Sequence, residues 1–232
     1  MDCMDYMRSV PKHFFDLAIV DPPYGIGRSS MEEKKKWKSY NPKDWDNAPP
    51  DRKYFEELFR VSKNQVIFGG NYFTPHLPPS MGWIVWDKGQ KLTMSDGELI
   101  YTSFSRALRI VTVHRTKICK YGGYLHPTQK PVELYYWILS RYARPGDKIL
   151  DTHLGSGASR LAAHALGLDF WGCEKDSEYF ESQENRFMKQ CRTRLDFSEK
   201  YYPKGWRFLL KTGGLTLHFR PIPELPLRPE RK

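Results

Sequence analysis

No two of the four cysteines, Cys3, Cys119, Cys173 and Cys191, form a CxxC pair, and none of the seven histidines stands in an HxxxH or CxH spacing. A disulfide framework and a metal site are therefore both without support. No apolar run reaches the roughly 18 to 20 residues that cross a bilayer. Mean hydropathy is −0.65, and the start MDCMDYM lacks the basic-then-apolar pattern of a leader. These gaps predict a soluble intracellular protein without membrane contact. Acids are scarce as well: 27 stand against 37 Lys and Arg, a net charge of +10. Such an imbalance favours a polyanionic partner, with nucleic acid first and an anionic membrane surface far behind. From 105 to 130 there are six basic residues (Arg106, Arg109, Arg115, Lys117, Lys120, Lys130) and no acid. That stretch is a candidate surface for a nucleic-acid backbone, or else a solvated face.

The 232 residues, 40% hydrophobic and 15% aromatic, suffice for one sizeable core and exclude global disorder. Short apolar runs ending in Asp, Glu or Gly alternate with amphipathic segments, the pattern of a parallel sheet covered by helices. Strands are predicted over 16–21, 65–69, 82–87, 98–104, 148–151 and 170–174, and helices over 51–61, 132–142, 156–166 and 177–192. Pro131 opens the second helix and Pro145-Gly146 closes it. An α/β, doubly wound fold follows. Three segments break the alternation. Residues 28–50 are long and charged, with Trp37, Tyr40 and Trp45 interleaved; a loop of this length is usually functional or mobile. The basic stretch contains a β-rich run, ALRIVTVH, and the turn Tyr121-Gly122-Gly123-Tyr124. The tail from Tyr201 reads as a hairpin around Gly213-Gly214 with a Pro-rich end.

The sharpest local signal is Asp21-Pro22-Pro23-Tyr24-Gly25 after the apolar run DLAIV. Two prolines remove two backbone donors and hold the turn rigid, which leaves the Asp21 and Pro22 carbonyls as fixed acceptors. A carboxylate beside such carbonyls, with a ring close by, suits an exocyclic amino group on a planar base; the plainer alternative is an ordinary strand-ending turn. The second signal is DTHLGSGAS, from Asp151 to Ser159, between the strand KIL and a helix. Its glycines let a ligand approach the backbone, and the helix start offers N–H groups. Glu174, at the end of the next strand, is placed to accept bonds from ribose hydroxyls. A dinucleotide site would need a third glycine where Arg160 stands. A nucleoside-bearing cofactor without pyrophosphate fits better, and S-adenosylmethionine is the common one.

In this order the motifs resemble the DNA amino-methyltransferases, specifically the adenine-N6 type whose catalytic half precedes its cofactor half, a circularly permuted motif order. DPPYGIG resembles the family's catalytic motif, WIVWDK and ELIYTSF the strands that follow, and HPTQKP the segment before the cofactor loop. DTHLGSGAS resembles that loop, FWGCEKD the ribose-binding strand end, and Asp2-Cys3-Met4 the element that meets the cofactor's adenine. The resemblance covers roughly residues 1–192 and is greatest to short stand-alone methylases of phage and mobile elements. It implies a methyltransferase domain over 1–194, with the loop 28–50 and a short target-recognition segment at 105–126 inserted, and a C-terminal hairpin and tail over 195–232.

The resemblance further implies site residues. Asp21, Pro22, Pro23 and Tyr24 are the catalytic set. Asp2, Cys3, Asp21, Lys130, Asp151, His153, Gly155, Ser156, Gly157 and Glu174 are expected to hold S-adenosylmethionine. Arg28, Lys36, Trp37, Lys38, Arg106, Arg109, Arg115, Lys117 and Lys120 are expected to meet DNA. No metal is expected. Asp21 and the Pro22 carbonyl would draw adenine N6 toward tetrahedral geometry for an in-line methyl displacement, with Tyr24 stacked on a base swung out of the duplex. No Pro-Cys pair is present to serve as a thiolate nucleophile. Family habit places Asp before Pro-Pro for adenine and Ser for cytosine. The alternatives are a cytosine-N4 or RNA-base methyltransferase of the same fold, and a non-catalytic nucleic-acid-binding protein. Where the family has Pro-Phe after the loop's Asp, this chain has Thr152-His153, so an imidazole would pack on the cofactor. The setting implied is the cytoplasm of a bacterial or phage-infected cell. A homodimer is a candidate assembly, and no feature of the sequence specifies a restriction endonuclease partner.

Overall fold

The computed structural model describes residues 1–27, 43, 45–90 and 95–195. Seven strands form one sheet in the order β5-β3-β4-β2-β1-β6-β7. Strand β1 (Phe15–Val20) runs parallel to β2 (Ser62–Phe68) on one side and β6 (Lys148–Asp151) on the other, and β7 (Asp169–Gly172) continues parallel to β6. Every residue of β1 except Asp16 is buried, as a central strand covered on both faces requires.

The other half departs from the parallel expectation. Strand β4 (Gly97–Thr102) lies antiparallel between β2 and β3 (Ile84–Asp87), and β5 (Arg109–Thr112) runs parallel to β3 at the edge. The reason is reach: a parallel crossover takes about a dozen residues or more, and the link from Asp87 to Gly97 is shorter than that. The β-rich run singled out in the basic stretch supplies the edge strand.

Helices cover both faces. On one, α1 (Cys3–Ser9) and α2 (Arg52–Val61) bury Met7, Phe55 and Leu58 against Ala18, Val20 and Ile67. On the other, α3 (Val132–Tyr142) and α4 (Ala158–Ala165), with Phe187 of α5 (Ser177–Leu195), pack on Leu17, Ile19 and Phe68. Helix α2 starts where the Asp51 carboxylate accepts from the Tyr54 N–H at 3.1 Å, an N-cap that supplies a partner to one of the helix's orphan donors. Its buried residues Tyr54, Phe55, Leu58 and Val61 form one stripe. Helix α5 runs to Leu195, three residues past its expected end. Among the described residues no helix is long and apolar enough to cross a membrane. Residues 28–42 and the expected C-terminal hairpin lie outside the described residues.

The chain leaves β1 toward β2 and later returns to pair β6 on β1's other side. A crevice opens at such a switch point, beyond the strands' carboxyl ends. Asp21 follows β1 there, Asp151 ends β6, and Glu174 follows β7.

Candidate active site

Val20 makes the last pairing of β1 with β2, and Pro22 and Pro23, lacking N–H groups, cannot extend the ladder. The turn that results aims the Asp21 carboxylate into a cavity of about 500 Å³ whose walls include Pro22, Tyr24, Trp45, Tyr72 and Glu98. Asp21 does not stand alone. The Tyr24 hydroxyl donates to its Oδ1 at 2.8 Å and the Lys130 ammonium to its Oδ2 at 2.5 Å. Lys130 Nζ also lies 3.2 Å from the Tyr24 hydroxyl and 3.5 Å from Glu98 Oε2, and Lys88 Nζ is 3.1 Å from Glu98 Oε1.

Burial pushes the Asp21 carboxyl upward, against the pull of Lys130. Burial would raise Glu98 too, but Lys130 and Lys88 outweigh it and hold that carboxyl below the usual range. Lys130 is only 4% exposed; burial would lower it, yet Asp21 and Glu98 hold it above its ordinary value, so it stays a cation.

Tyr24 is more constrained than a free stacking platform. Its ring stacks on Tyr72 at 4.7 Å and 14°, and the Lys130 ammonium lies 5.5 Å from the ring centre. Gly69 makes the close fit possible: its φ is +65°, and a Cβ there would come within 2.4 Å of the Tyr24 ring.

A second cavity, of about 980 Å³, adjoins the first, and Asp21, Pro23, Trp45 and Lys130 line both. Asp2, Cys3, His153, Gly155, Ser156 and Glu174 line it. Glu174 also organises it, since its two carboxylate oxygens accept from the N–H groups of Gly155 at 2.8 Å and Asp176 at 2.9 Å. Two expected ligand residues prove to act from behind the wall. Asp151 accepts from the Ser159 hydroxyl at 2.5 Å and the His153 N–H at 3.0 Å; its burial raises its carboxyl to about 7. Gly157, at φ +70°, packs where a Cβ would meet Gln183 Oε1 at 3.0 Å. Neither lines the cavity; both shape the loop that does.

His153 sits between Thr152 Oγ1, 2.9 Å from its Nδ1, and the edge of Tyr54. Burial pushes it down to about 4, a neutral ring suited to packing. Burial raises the Cys3 thiol to about 11 and Cys173 to about 12, so neither is a thiolate at neutral pH.

The basic stretch does not form one surface. The cavities open where β1, β3 and β6 finish, whereas Arg109 starts β5 opposite Ile84, the first residue of β3. Arg106 donates to the Arg141 carbonyl at 2.7 Å, at the far end of α3. Arg106 and Arg109 therefore lie at the end of the sheet away from the site. This corrects their assignment to a common surface, because a parallel edge strand separates its first residues from its last by its own length. Arg115, Lys117 and Lys120 follow β5 on the site side, Arg115 lining the smaller cavity and Lys120 paired to Glu133 at 3.2 Å. Arg28, Lys36, Trp37 and Lys38 lie outside the described residues.

Several contributors escaped the sequence reading. Glu98 and Lys88 were read only as parts of strands, although a charge at the end of an apolar strand is the signal that marks them. Arg186 bonds the Tyr121 carbonyl at 2.6 Å and the Ser156 carbonyl at 2.8 Å, tying the basic segment to the glycine loop before α4. Asp46 accepts from the Gly25 N–H at 2.9 Å, and the Trp45 ring packs against that of His126, 5.0 Å between centroids, in the wall of the second cavity.

Residues 109–185, from β5 into α5, match the N6/N4 methyltransferase family, described as DNA methylase. Over that third of its length the chain is similar to the N6/N4 DNA methylases. The type II methyltransferase M.HinfI of Haemophilus influenzae is 22% identical over 240 aligned positions, which take in 80% of this chain and 66% of that one. The crystal structure of the M1.HpyAVI–SAM complex is similar with a TM-score of 0.54 at 19% identity, over 81% of this chain and 96% of that one. The PvuII DNA methyltransferase, named cytosine-N4-specific, gives a TM-score of 0.56 at 14% identity, over 81% of this chain and 84% of that one. The architecture of the chain is accordingly the S-adenosylmethionine-dependent methyltransferase fold, with helices on both faces of a mostly parallel sheet.

Proposed function

We infer that this protein is a DNA methyltransferase that moves the methyl group of S-adenosylmethionine to the exocyclic N6 of adenine. The observation that carries the reading is the shared wall: the acceptor carboxylate of Asp21 borders both a base-sized cavity and the larger one organised by Glu174. The larger cavity fits the cofactor by its donor set. Glu174, Gly155 and Ser156 line it, with the Glu174 carboxylate available to ribose hydroxyls, and the neutral His153 ring gives a packing wall. When bound, the cofactor supplies an electrophilic methyl group.

The chain's own residues do the rest. Asp21 and the Pro22 carbonyl accept the two N–H bonds of the amino group and aim its lone pair across the shared wall. The rings of Tyr24 and Trp45, both in the wall of the smaller cavity, offer a stack that repays part of the cost, a few kcal/mol, of unstacking a base. Asp21 is a carboxylate where the family's cytosine enzymes carry a serine, which favours adenine. Cytosine N4 is the second reading, favoured by the likeness in fold to the PvuII enzyme.

Incubating the protein with labelled S-adenosylmethionine and DNA, then digesting to nucleosides and separating them, tests this. The expected product is N6-methyl-deoxyadenosine. N4-methyl-deoxycytidine would select the second reading, and cofactor binding without transfer to DNA or RNA would mark a pure binder.

The DNA surface is expected on the site side of β5. Replacing Arg115 and Lys117 together by Ser should weaken binding to all sequences alike and flatten the salt slope by up to about 1.8, at roughly 0.9 per lost phosphate contact. The pair Arg106 and Arg109, at the other end, should leave the slope unchanged, as read by fluorescence anisotropy over a salt series. Equal effects from the two pairs would undo this assignment.

A further inference from the structure

We propose that Glu98 is a positioning residue that takes up the Lys130 ammonium when Asp21 turns its carboxylate to the amino group of the base, with Lys88 holding Glu98 in place. The proposal rests on the methyltransferase reading above. Its starting point is a competition. In the structure both oxygens of Asp21 are engaged, one by Tyr24 and one by Lys130. A bond from an ammonium to a carboxylate is roughly twice as strong as one from a neutral donor. Turning the Asp21 carboxylate from Lys130 toward a neutral amino group is therefore favoured by a second anionic acceptor for the ammonium.

Glu98 is that place. Its Oε2 lies 3.5 Å from Lys130 Nζ and 3.4 Å from the Tyr24 hydroxyl, so both donors that hold Asp21 already face a second acceptor. The other oxygen, Oε1, is held by Lys88 at 3.1 Å, which fixes the carboxylate toward Lys130. Asp21, Glu98, Lys130 and Lys88 sum to zero formal charge, and a hand-over leaves that sum unchanged. All four line the smaller cavity, where the base is expected. The topology makes the arrangement: antiparallel β4 starts at the site end, with Glu98 opposite Trp86, two residues before Lys88. A carboxylate present only to neutralise Lys88 would not need its second oxygen turned to Lys130 and Tyr24.

The groups that face Asp21 are Tyr24 from its own turn, Lys130 from the segment before α3, Glu98 from β4, Tyr135 from α3 and Asp151 from β6. Glu98 is among those that push Asp21 upward. Glu98→Gln keeps the size and one acceptor oxygen and removes the charge. The expected result is a fall in kcat/KM for DNA of about tenfold or more, the scale of one charged hydrogen bond, with cofactor affinity changed less than about twofold. The acid limb of the rate profile should move to lower pH at the same time. Glu98→Asp should recover part of the rate.

A Gln variant with wild-type rate and an unmoved acid limb would overturn the proposal. So would an equal loss in the Gln and Asp variants that follows a lowered melting temperature, since that is a packing effect. Wild-type methylation with a silent Glu98→Gln variant defeats this inference alone, whereas a wild type that methylates nothing defeats the functional reading. A 13C-carboxyl titration of Asp21 in the free protein needs no turnover. Its midpoint should fall in Glu98→Gln, and an unmoved midpoint overturns the coupling on its own.

Discussion

Asp21→Asn should reduce methyl transfer by about 10²–10³-fold, the scale of losing one preorganised electrostatic group at the reacting atom, while cofactor affinity stays within a few-fold. The Asn side chain has the same shape, but it presents an NH2 donor group where the amino group of the base also donates, and it cannot balance Lys130, whose ammonium lies 2.5 Å from Asp21 Oδ2. Some change in cofactor affinity is expected because Asp21 lines the larger cavity as well as the smaller. Single-turnover transfer with labelled cofactor and calorimetric titration of the same preparation separate the two effects. Turnover within a few-fold of wild type would remove Asp21 from the chemistry. Loss of cofactor binding in step with rate would instead mark it as a residue of the larger cavity.

Lys130→Met should have the largest effect on stability. Removing the ammonium leaves Asp21 and Glu98 close together and mostly buried, with 14% and 22% of their side chains exposed and only Lys88 to balance them. Breaking a buried ion pair from one side costs about 3–5 kcal/mol, which in a chain of this size lowers the melting temperature by roughly 10 °C. The sign with pH follows from the carboxyls. Without Lys130 their folded-state values rise above those of the unfolded chain, so the penalty is full above the raised values. It shrinks as pH falls and the carboxyls take up protons. Urea unfolding at pH 8 and pH 5 should show the larger deficit at pH 8. A deficit under about 1 kcal/mol would mean that the cluster behaves as an exposed one.

Much of this molecule could be read from its sequence because the signals are local. Helix α3 occupies 132–142 as expected, since Pro131 and the turn after Ala143 set both ends within a few residues of chain. Strand β6 occupies 148–151, and β1 lies within a residue of its expected span, because a strand buried on both faces must be apolar at almost every position. The Asp21 turn and the loop before α4 were legible for a similar reason: proline and glycine act on the backbone where they stand.

The remaining features depend on which strands become neighbours, and no local pattern encodes that. The placement of β4 between β2 and β3 decides that Glu98 reaches Lys130 and that Lys88 reaches Glu98. Asp21 and Lys130 are 109 residues apart in the chain and meet only because β1 and the segment before α3 finish at the same crevice. The basic stretch was visible as charge, but the direction of β5 divides it between the two ends of the sheet. Composition and periodicity determined that this chain makes a two-sided α/β sheet with an Asp-Pro-Pro-Tyr turn and a glycine loop. Strand order alone decided which charges surround that turn, because burial makes each of them need a partner and only the tertiary packing brings the partners within reach.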